Sequence, residues 1–238
     1  RRFRPLADYL AQQLDRSVEV RVGQSYQDHL QAIQNNQIDI AFLGPALYAE
    51  LLRKHHPSIP LVKFQSRDKQ TLHGRVVVSR YSQIQQLDEL RGKTFAFGDP
   101  HSTLSSLLPQ AMLLQAGIRL SDLSYHSFYP GHVNVALAVL GGDADAGAVK
   151  EEIYRHFAPH GLRSIGRTAQ VPEHLFIANA NLPKPQIDAI KQAFLALNQP
   201  GRASAVLKPI KTDLSGIVLA QPSDYRELID VLDKLDHE

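Results

Sequence analysis

The sequence predicts an α/β protein built as two lobes joined by two crossings of the chain, and three observations carry that expectation. Segments with helical spacing alternate with short apolar strands along most of the 238 residues. Two of those strands, residues 38–43 and 145–149, are continuous apolar runs of the kind that suits a parallel sheet covered on both faces. The passages that contain them also share one order of helix, tight turn, acidic residue and strand. The first runs through Leu30, Ile33, Asn35-Asn36 and Asp39, the second through Val135, Leu140, Gly141-Gly142 and Asp145.

After Pro5, which suits a first helical turn, Leu6, Leu10 and Leu14 fall at helical spacing, and residues 17–22 alternate like a strand. Ser25 with Asp28 three residues later resembles a capping box for a helix that carries Leu30 and Ile33 and stops at Asn35-Asn36. The strand over 38–43 ends at Gly44-Pro45, and a helix follows through Tyr48 and Leu52. Residues 75–78 and 175–178 read as strands running side by side, the two crossings between lobes. Lobe one is then residues 1–78 with 174–238, including helices over 185–197 and 223–235, and lobe two is the insertion 79–173. Two crossings make a hinge. An α/β lobe ordinarily opens on a strand, so a first strand is expected before Arg1.

Composition narrows the function. The 26 Lys and Arg are scattered and the formal charge is only +2, which excludes nucleic acid as a partner and requires any anion to be bound locally. The absence of cysteine removes disulfides, thiolate nucleophiles and cysteine-zinc sites, and fits any compartment. No apolar run approaches the roughly 20 residues that span a bilayer, and no signal-peptide pattern starts at Arg1. Among the 11 histidines no His-Glu-x-x-His spacing occurs, and His55-His56, adjacent on a predicted helix, face different ways, so no metal is expected. Gly-x-Ser-x-Gly and Gly-x-x-x-x-Gly-Lys are both absent, and neither a cofactor nor an enzymatic activity is expected.

The chemistry concentrates in one passage. Residues 95–98 read as a strand, Asp99-Pro100-His101-Ser102-Thr103 as a turn, and Leu104, Leu107, Leu108, Ala111 and Met112 as a helix that Pro109 should kink and Gly117 should stop. A helix start presents unpaired N–H groups and the positive end of the dipole, so it favours an anion, and the Ser102 and Thr103 hydroxyls add donors. At roughly 1.5–3 kcal/mol for each charge-assisted hydrogen bond, four or five hold a small anion at micromolar strength. The plainer reading makes Ser102 or Thr103 a helix cap.

This passage, with Pro109 six residues beyond it, resembles the Asp-Pro-x-Ser-Thr-Ser-Gly stretch of the phosphate-, phosphite- and phosphonate-binding proteins of bacterial ABC transporters. Further similarities fall in order along the chain. They are Arg4-Pro5-Leu6-Ala7-Asp8-Tyr9-Leu10, Ile38-Asp39-Ile40-Ala41 with Leu43-Gly44-Pro45 and Tyr48, and Gly131-His132 leading to Ala138-Val139-Leu140 and Asp145-Ala146-Gly147-Ala148-Val149. The resemblance implies a type II periplasmic-binding fold, in which two α/β lobes close by hinge motion on a ligand cleft. It implies a hydroxyl cradle at Ser102 and Thr103, a cleft tyrosine at Tyr48 and a cleft histidine at His132, with Tyr26 a further cleft candidate and Glu152 and Glu173 near positions where relatives hold a ligand amine. Two positions depart from the pattern: Leu104 stands where a third hydroxyl is expected, keeping only its backbone N–H, and Leu72 stands where relatives often carry a tyrosine.

The implied role is capture of a phosphonate, phosphite or phosphate for a membrane permease, in the periplasm or another extracytoplasmic space, with or without a membrane anchor. One rival is a sensing input domain of a membrane-bound kinase or cyclase, its output domain in the same chain. A second is an enzyme acting on a phosphorylated small molecule, for which no activated nucleophile or metal site is identifiable.

Overall fold

The computed structural model describes residues 2–66, 71–199 and 201–236. Its helices are α1 (Arg4–Leu14), α2 (Tyr26–Gln34), α3 (Pro45–Arg53), α4 (Leu108–Gln115), α5 (His132–Gly141), α6 (Glu151–Phe157), α7 (Lys184–Leu195), α8 (Arg202–Leu207) and α9 (Arg226–Asp236). Its strands are β1 (Ile40–Leu43), β2 (Ser58–Ser66), β3 (Thr71–Leu72), β4 (Gly74–Ser79), β5 (Thr94–Phe97), β6 (Tyr125–Phe128), β7 (Ala146–Lys150), β8 (Leu162–Arg167), β9 (Val171–Pro172), β10 (Leu175–Asn179) and β11 (Leu214–Leu219).

The chain divides into two compact units, one of Arg1–Gln70 with Pro172–Arg226 and one of Thr71–Val171 with Glu227–Glu238. The first is built on the sheet β1-β10-β2-β11, whose neighbours all run antiparallel. Leu6 and Leu10 of α1 and Ile187, Ile190 and Phe194 of α7 join Phe64 and Phe176 in one core, and Leu30, Leu47, Leu51, Leu175 and Ile177 form a second. Alternate residues of β10 serve the two cores, Phe176 the first and Leu175 and Ile177 the second, so this strand is buried on both faces.

The second unit carries the sheet β6-β5-β7-β4-β8. Val76, Val78, Phe95 and Phe97 pack with Leu113 and Ile118 in one core, whereas Val77, Ala96 and Val149 pack with Val135 and Val139 of α5 in the other. The period-two alternation of β4 and β5 thus builds two hydrophobic layers from strands of six and four residues.

Several expectations are corrected here. The valine run of β4 does not lie beside β10; it pairs with β7 and β8 at the middle of the second sheet, because three consecutive fully buried valines need cover on both faces. The unit boundaries accordingly fall at 70/71 and 171/172, and α9 groups with the second unit, whereas the sequence suggested 78/79, 173/174 and a C-terminal helix in lobe one. Residues 17–22 alternate in sequence but form no strand; Val20 and Val22 are exposed, and an isolated extended segment has no ladder to join. The strand over 38–43 is found as β1, yet its partner β10 is antiparallel, since an apolar run reports cover on both faces and not strand direction. His55 and His56 lie beyond the end of α3, with His55 at φ 51° in the left-handed region.

Pro109 does more than kink a helix. Residues Thr103–Leu107 form a π-helical turn that leads into α4, with Pro109 in the first turn of α4. Proline has no N–H to give, so the Ser105 carbonyl loses its normal helical donor and accepts from the Gly98 N–H instead, at 2.8 Å. That bond draws the turn against the end of β5 so closely that a Cβ on Gly98 would collide with the Ser105 side chain. Gly98→Ala should therefore cost about 1–3 kcal/mol of stability by overpacking, read by urea unfolding. Adding Ser105→Gly should recover much of the loss; a Gly98→Ala protein as stable as the parent would show that the approach is not tight.

Candidate functional site

β5, β6 and β7 run parallel, so their carboxyl ends share one edge of the second unit's sheet. β4 runs antiparallel to β7 with Gly74 opposite Lys150, which places its first residue on that edge as well. In α/β sheets this edge is where loops and helix starts converge on ligands. Here it gathers the turn after β5, the start of α5 after β6 and the start of α6 after β7.

The turn after β5 is fixed by Asp99, whose side chain accepts from the His101 N–H at 2.9 Å and whose carbonyl accepts from the Ser102 N–H at 2.8 Å. The first helical bonds run from Ser106 and Leu107 N–H to the Ser102 carbonyl, at 3.1 and 3.0 Å. The amides of residues 103, 104 and 105 precede those bonds and form the donor end of the helix. Ser102, Thr103, Leu104 and Ser105 are all buried. The Ser102 hydroxyl accepts from the Ser105 hydroxyl at 2.8 Å, leaving its own proton to donate. Sequence reasoning did not single out Ser105, although it stands where the resembled motif has glycine. Gly74 lies so near the Leu104 carbonyl that a Cβ there would collide with it, while the Gly74 N–H donates to Thr168 Oγ1 at 2.8 Å.

His132 is the first residue of α5, half-buried. Its Nδ1 accepts from the Lys150 N–H at 3.2 Å, which places the ring proton on Nε2 and makes the neutral imidazole a donor there. Beside it, the Glu152 carboxylate is largely exposed and pairs with Lys150 Nζ at 2.9 Å. Its neighbour Glu151 is the more engaged acid, meeting His73 Nε2 at 2.9 Å, Arg75 Nε at 2.5 Å and Arg155 Nε at 2.8 Å. Burial pushes the Glu151 carboxyl up, but hydrogen bonds from Arg75 and Arg155, the charge of Arg75 and a hydrogen bond with His73 outweigh it and hold the group at about 2.

The remaining sequence candidates belong to the first unit. Tyr48 is fully buried in a core cluster, edge to face with Tyr225 at a centroid distance of 4.8 Å and an interplanar angle of 81°. Neither phenol hydroxyl has a hydrogen-bond partner among the described residues. Tyr26 opens α2 and is 39% exposed, so it fills no core. Glu173 is 2% exposed and already paired, with Lys211 Nζ at 3.0 Å and His174 Nδ1 at 3.1 Å. Burial raises its carboxyl, but the hydrogen bond and charge of His174 and those of Lys211 bring it down to about 2. Both partners of Glu173 thus lie inside the first unit.

The family model described as "ABC transporter, phosphonate, periplasmic substrate-binding protein" matches residues 1–225. The chain belongs to this family. Among relatives of this phosphonate-binding family member, the phosphate-import protein PhnD of Mycolicibacterium smegmatis is 26% identical over 209 residues, which is 81% of this chain and 65% of the relative. The fold is also that of PhnD1 from Prochlorococcus marinus, solved with methylphosphonate, at 19% identity, a TM-score of 0.84 and coverage of 99% and 92% of the two chains. XAC2383 from Xanthomonas citri, solved with ATP, gives 21% identity, a TM-score of 0.85 and coverage of 99% and 94%. The type II periplasmic-binding fold expected from the sequence is thereby established, and the relatives are binding proteins.

Within this family member, the structure brings Ser102, Thr103, Leu104, His132 and Glu152 to one sheet edge and places Tyr48, Tyr26 and Glu173 in the other unit. Among the described residues no group of three or more His, Asp and Glu side chains is arranged to hold a metal ion. No helix among them is long and apolar enough to cross a membrane.

The Glu173 pair yields a pH test. Its folded value lies below the ordinary 4.5, so its stabilisation is complete above about 4.5 and is lost as pH falls toward 2. Glu173→Gln should cost about 3 kcal/mol at neutral pH by stranding Lys211, and the gap to wild type in urea unfolding should close as the pH is lowered through that window. A gap independent of pH would assign the loss to packing.

Proposed function

We propose that this chain captures a small tetrahedral phosphorus oxyanion, a phosphonate, phosphite or phosphate, outside the cytoplasm and presents it to the membrane permease of an ABC transporter. The observation that carries the reading is the helix start at residues 103–105, where backbone amides at the positive end of a helix lie with the Ser102 and Thr103 hydroxyls on the carboxyl edge of a parallel sheet. A doubly or singly charged oxyanion accepts from such donors without needing a lysine or arginine, and the neutral His132 adds Nε2–H from the adjacent helix start.

Leu104 removes one side-chain donor from this set while leaving its amide. Recognition then rests on amides and two hydroxyls, a set that suits three equivalent oxygens of one phosphorus centre better than a carboxylate's two. An anion that binds one state of the protein more tightly than another shifts the equilibrium by that difference in affinity. The largely exposed Glu152 and the exposed Tyr26 stand at the periphery of the reading, and a membrane anchor is compatible with it.

Isothermal titration of the purified chain with phosphate, phosphite and methylphosphonate should show heat for at least one anion. Ser102→Ala should weaken that binding by roughly tenfold or more, the equivalent of about 1.5–3 kcal/mol for one charge-assisted bond. Silence from all three anions would sink the proposal, as would a Ser102→Ala protein that binds like the parent.

A further inference from the structure

We infer that Thr168 is a positioning residue of the anion site: its hydroxyl holds Gly74 where Gly74 seats the Leu104 carbonyl, and that seat aims the Ser105 amide. The inference rests on the functional reading above and adds a residue far from the cradle passage in sequence, with every group involved inside the second unit. Thr168 directly follows β8 and is 3% exposed. It meets Gly74 in both directions. The Gly74 N–H donates to Thr168 Oγ1 at 2.8 Å, and the Thr168 N–H donates to the Gly74 carbonyl at 3.1 Å. The hydroxyl gives its own proton to the Ala169 carbonyl at 3.0 Å, which turns its oxygen to accept.

Gly74 stands between this clasp and the cradle. The space a Cβ would take at Gly74 is occupied by the Leu104 carbonyl oxygen and walled by Thr168 Cγ2 and the Val149 carbonyl. Gly74 is the first residue of β4 and has no side chain to anchor it, so the two bonds to Thr168 fix its position against Leu104. The Leu104 carbonyl and the Ser105 N–H belong to one planar trans peptide, in which the two bonds point in opposite directions. A carbonyl seated on Gly74 therefore turns the Ser105 N–H away from β4, and a carbonyl free to rock would swing that donor with it. The next peptide is fixed from β5, where the Ser105 carbonyl accepts from the Gly98 N–H at 2.8 Å. Residue 105 is thus held on both sides, and Thr168 secures the side that sets its amide. Alignment decides what that amide contributes, because a hydrogen bond weakens steeply as it bends.

The test is titration of wild type, Thr168→Val and Thr168→Ser with phosphate, phosphite and methylphosphonate, at a temperature where circular dichroism shows each protein folded. Thr168→Val keeps the shape but removes the acceptor of the Gly74 N–H, and it should weaken the bound anion by about three- to tenfold. Thr168→Ser keeps the hydroxyl and should bind within about twofold of wild type. Wild-type affinity in Thr168→Val, or a Thr168→Ser protein as weak as Thr168→Val, overturns the inference and leaves Thr168 a packing residue while the functional reading stands. If Thr168→Val does not fold, the wild type decides: saturating anion should move the Ser105 N–H resonance downfield, and an unmoved resonance overturns the inference. A wild type that binds none of the three anions overturns the reading and the inference together.

Discussion

The Gly98 N–H meets the Ser105 carbonyl at 2.8 Å, and the geometry of the donor cluster follows from that bond. The bond exists because Pro109 has no N–H to offer the same carbonyl, and it is short because Gly98 has no side chain. Together these draw the π-helical turn down onto the end of β5, bury Ser102 through Ser106, and leave the amides of residues 103–105 as the donor end of the helix. Gly74 performs the same service from β4, receiving the Leu104 carbonyl where any side chain would stand in the way. A donor cluster made of backbone depends on how closely its segments can pack, and here a proline frees the Ser105 carbonyl while two glycines admit the close approaches.

Charge is handled in a complementary way. The most perturbed acids, Glu151 and Glu173, are each engaged within their own unit, Glu151 by Arg75, Arg155 and a hydrogen bond with His73, and Glu173 by Lys211 and a hydrogen bond with His174. These networks neutralise the two carboxylates locally, which desolvation requires. A site of neutral donors discriminates among anions by the number and direction of their oxygens more than by their total charge.

The strand-turn-helix passage over residues 95–115 was legible because each of its signals is local: alternating Phe95, Ala96 and Phe97, the Asp99-Pro100 turn, and Gly117 at the stop. So were α5 and β7, marked by Gly142 at φ 84° and an apolar run after Asp145. The failures share a cause. Residues 17–22 have the spacing of a strand, but a strand exists only through a partner, and spacing does not supply one. β4 and β10 look alike in sequence since both are apolar on both faces, and nothing in their residues distinguishes neighbours in one sheet from centres of two. Tyr225 escaped notice because a tyrosine near the chain end has no local signal separating a packed ring from one with an unsatisfied hydroxyl.

By itself, the sequence determined many of the helices and several of the strands, where the anion-favouring helix start lies and which family the chain resembles. Those depend on dihedral preferences, capping and periodicity within a few residues of each other. Tertiary structure alone decided that Glu173 is consumed by Lys211, that Ser105 orients Ser102, and that Tyr48 meets Tyr225 across 177 positions of chain. Such pairings are set by how the sheets stack and where the chain returns, and a partner's distance in sequence carries no trace of its distance in space.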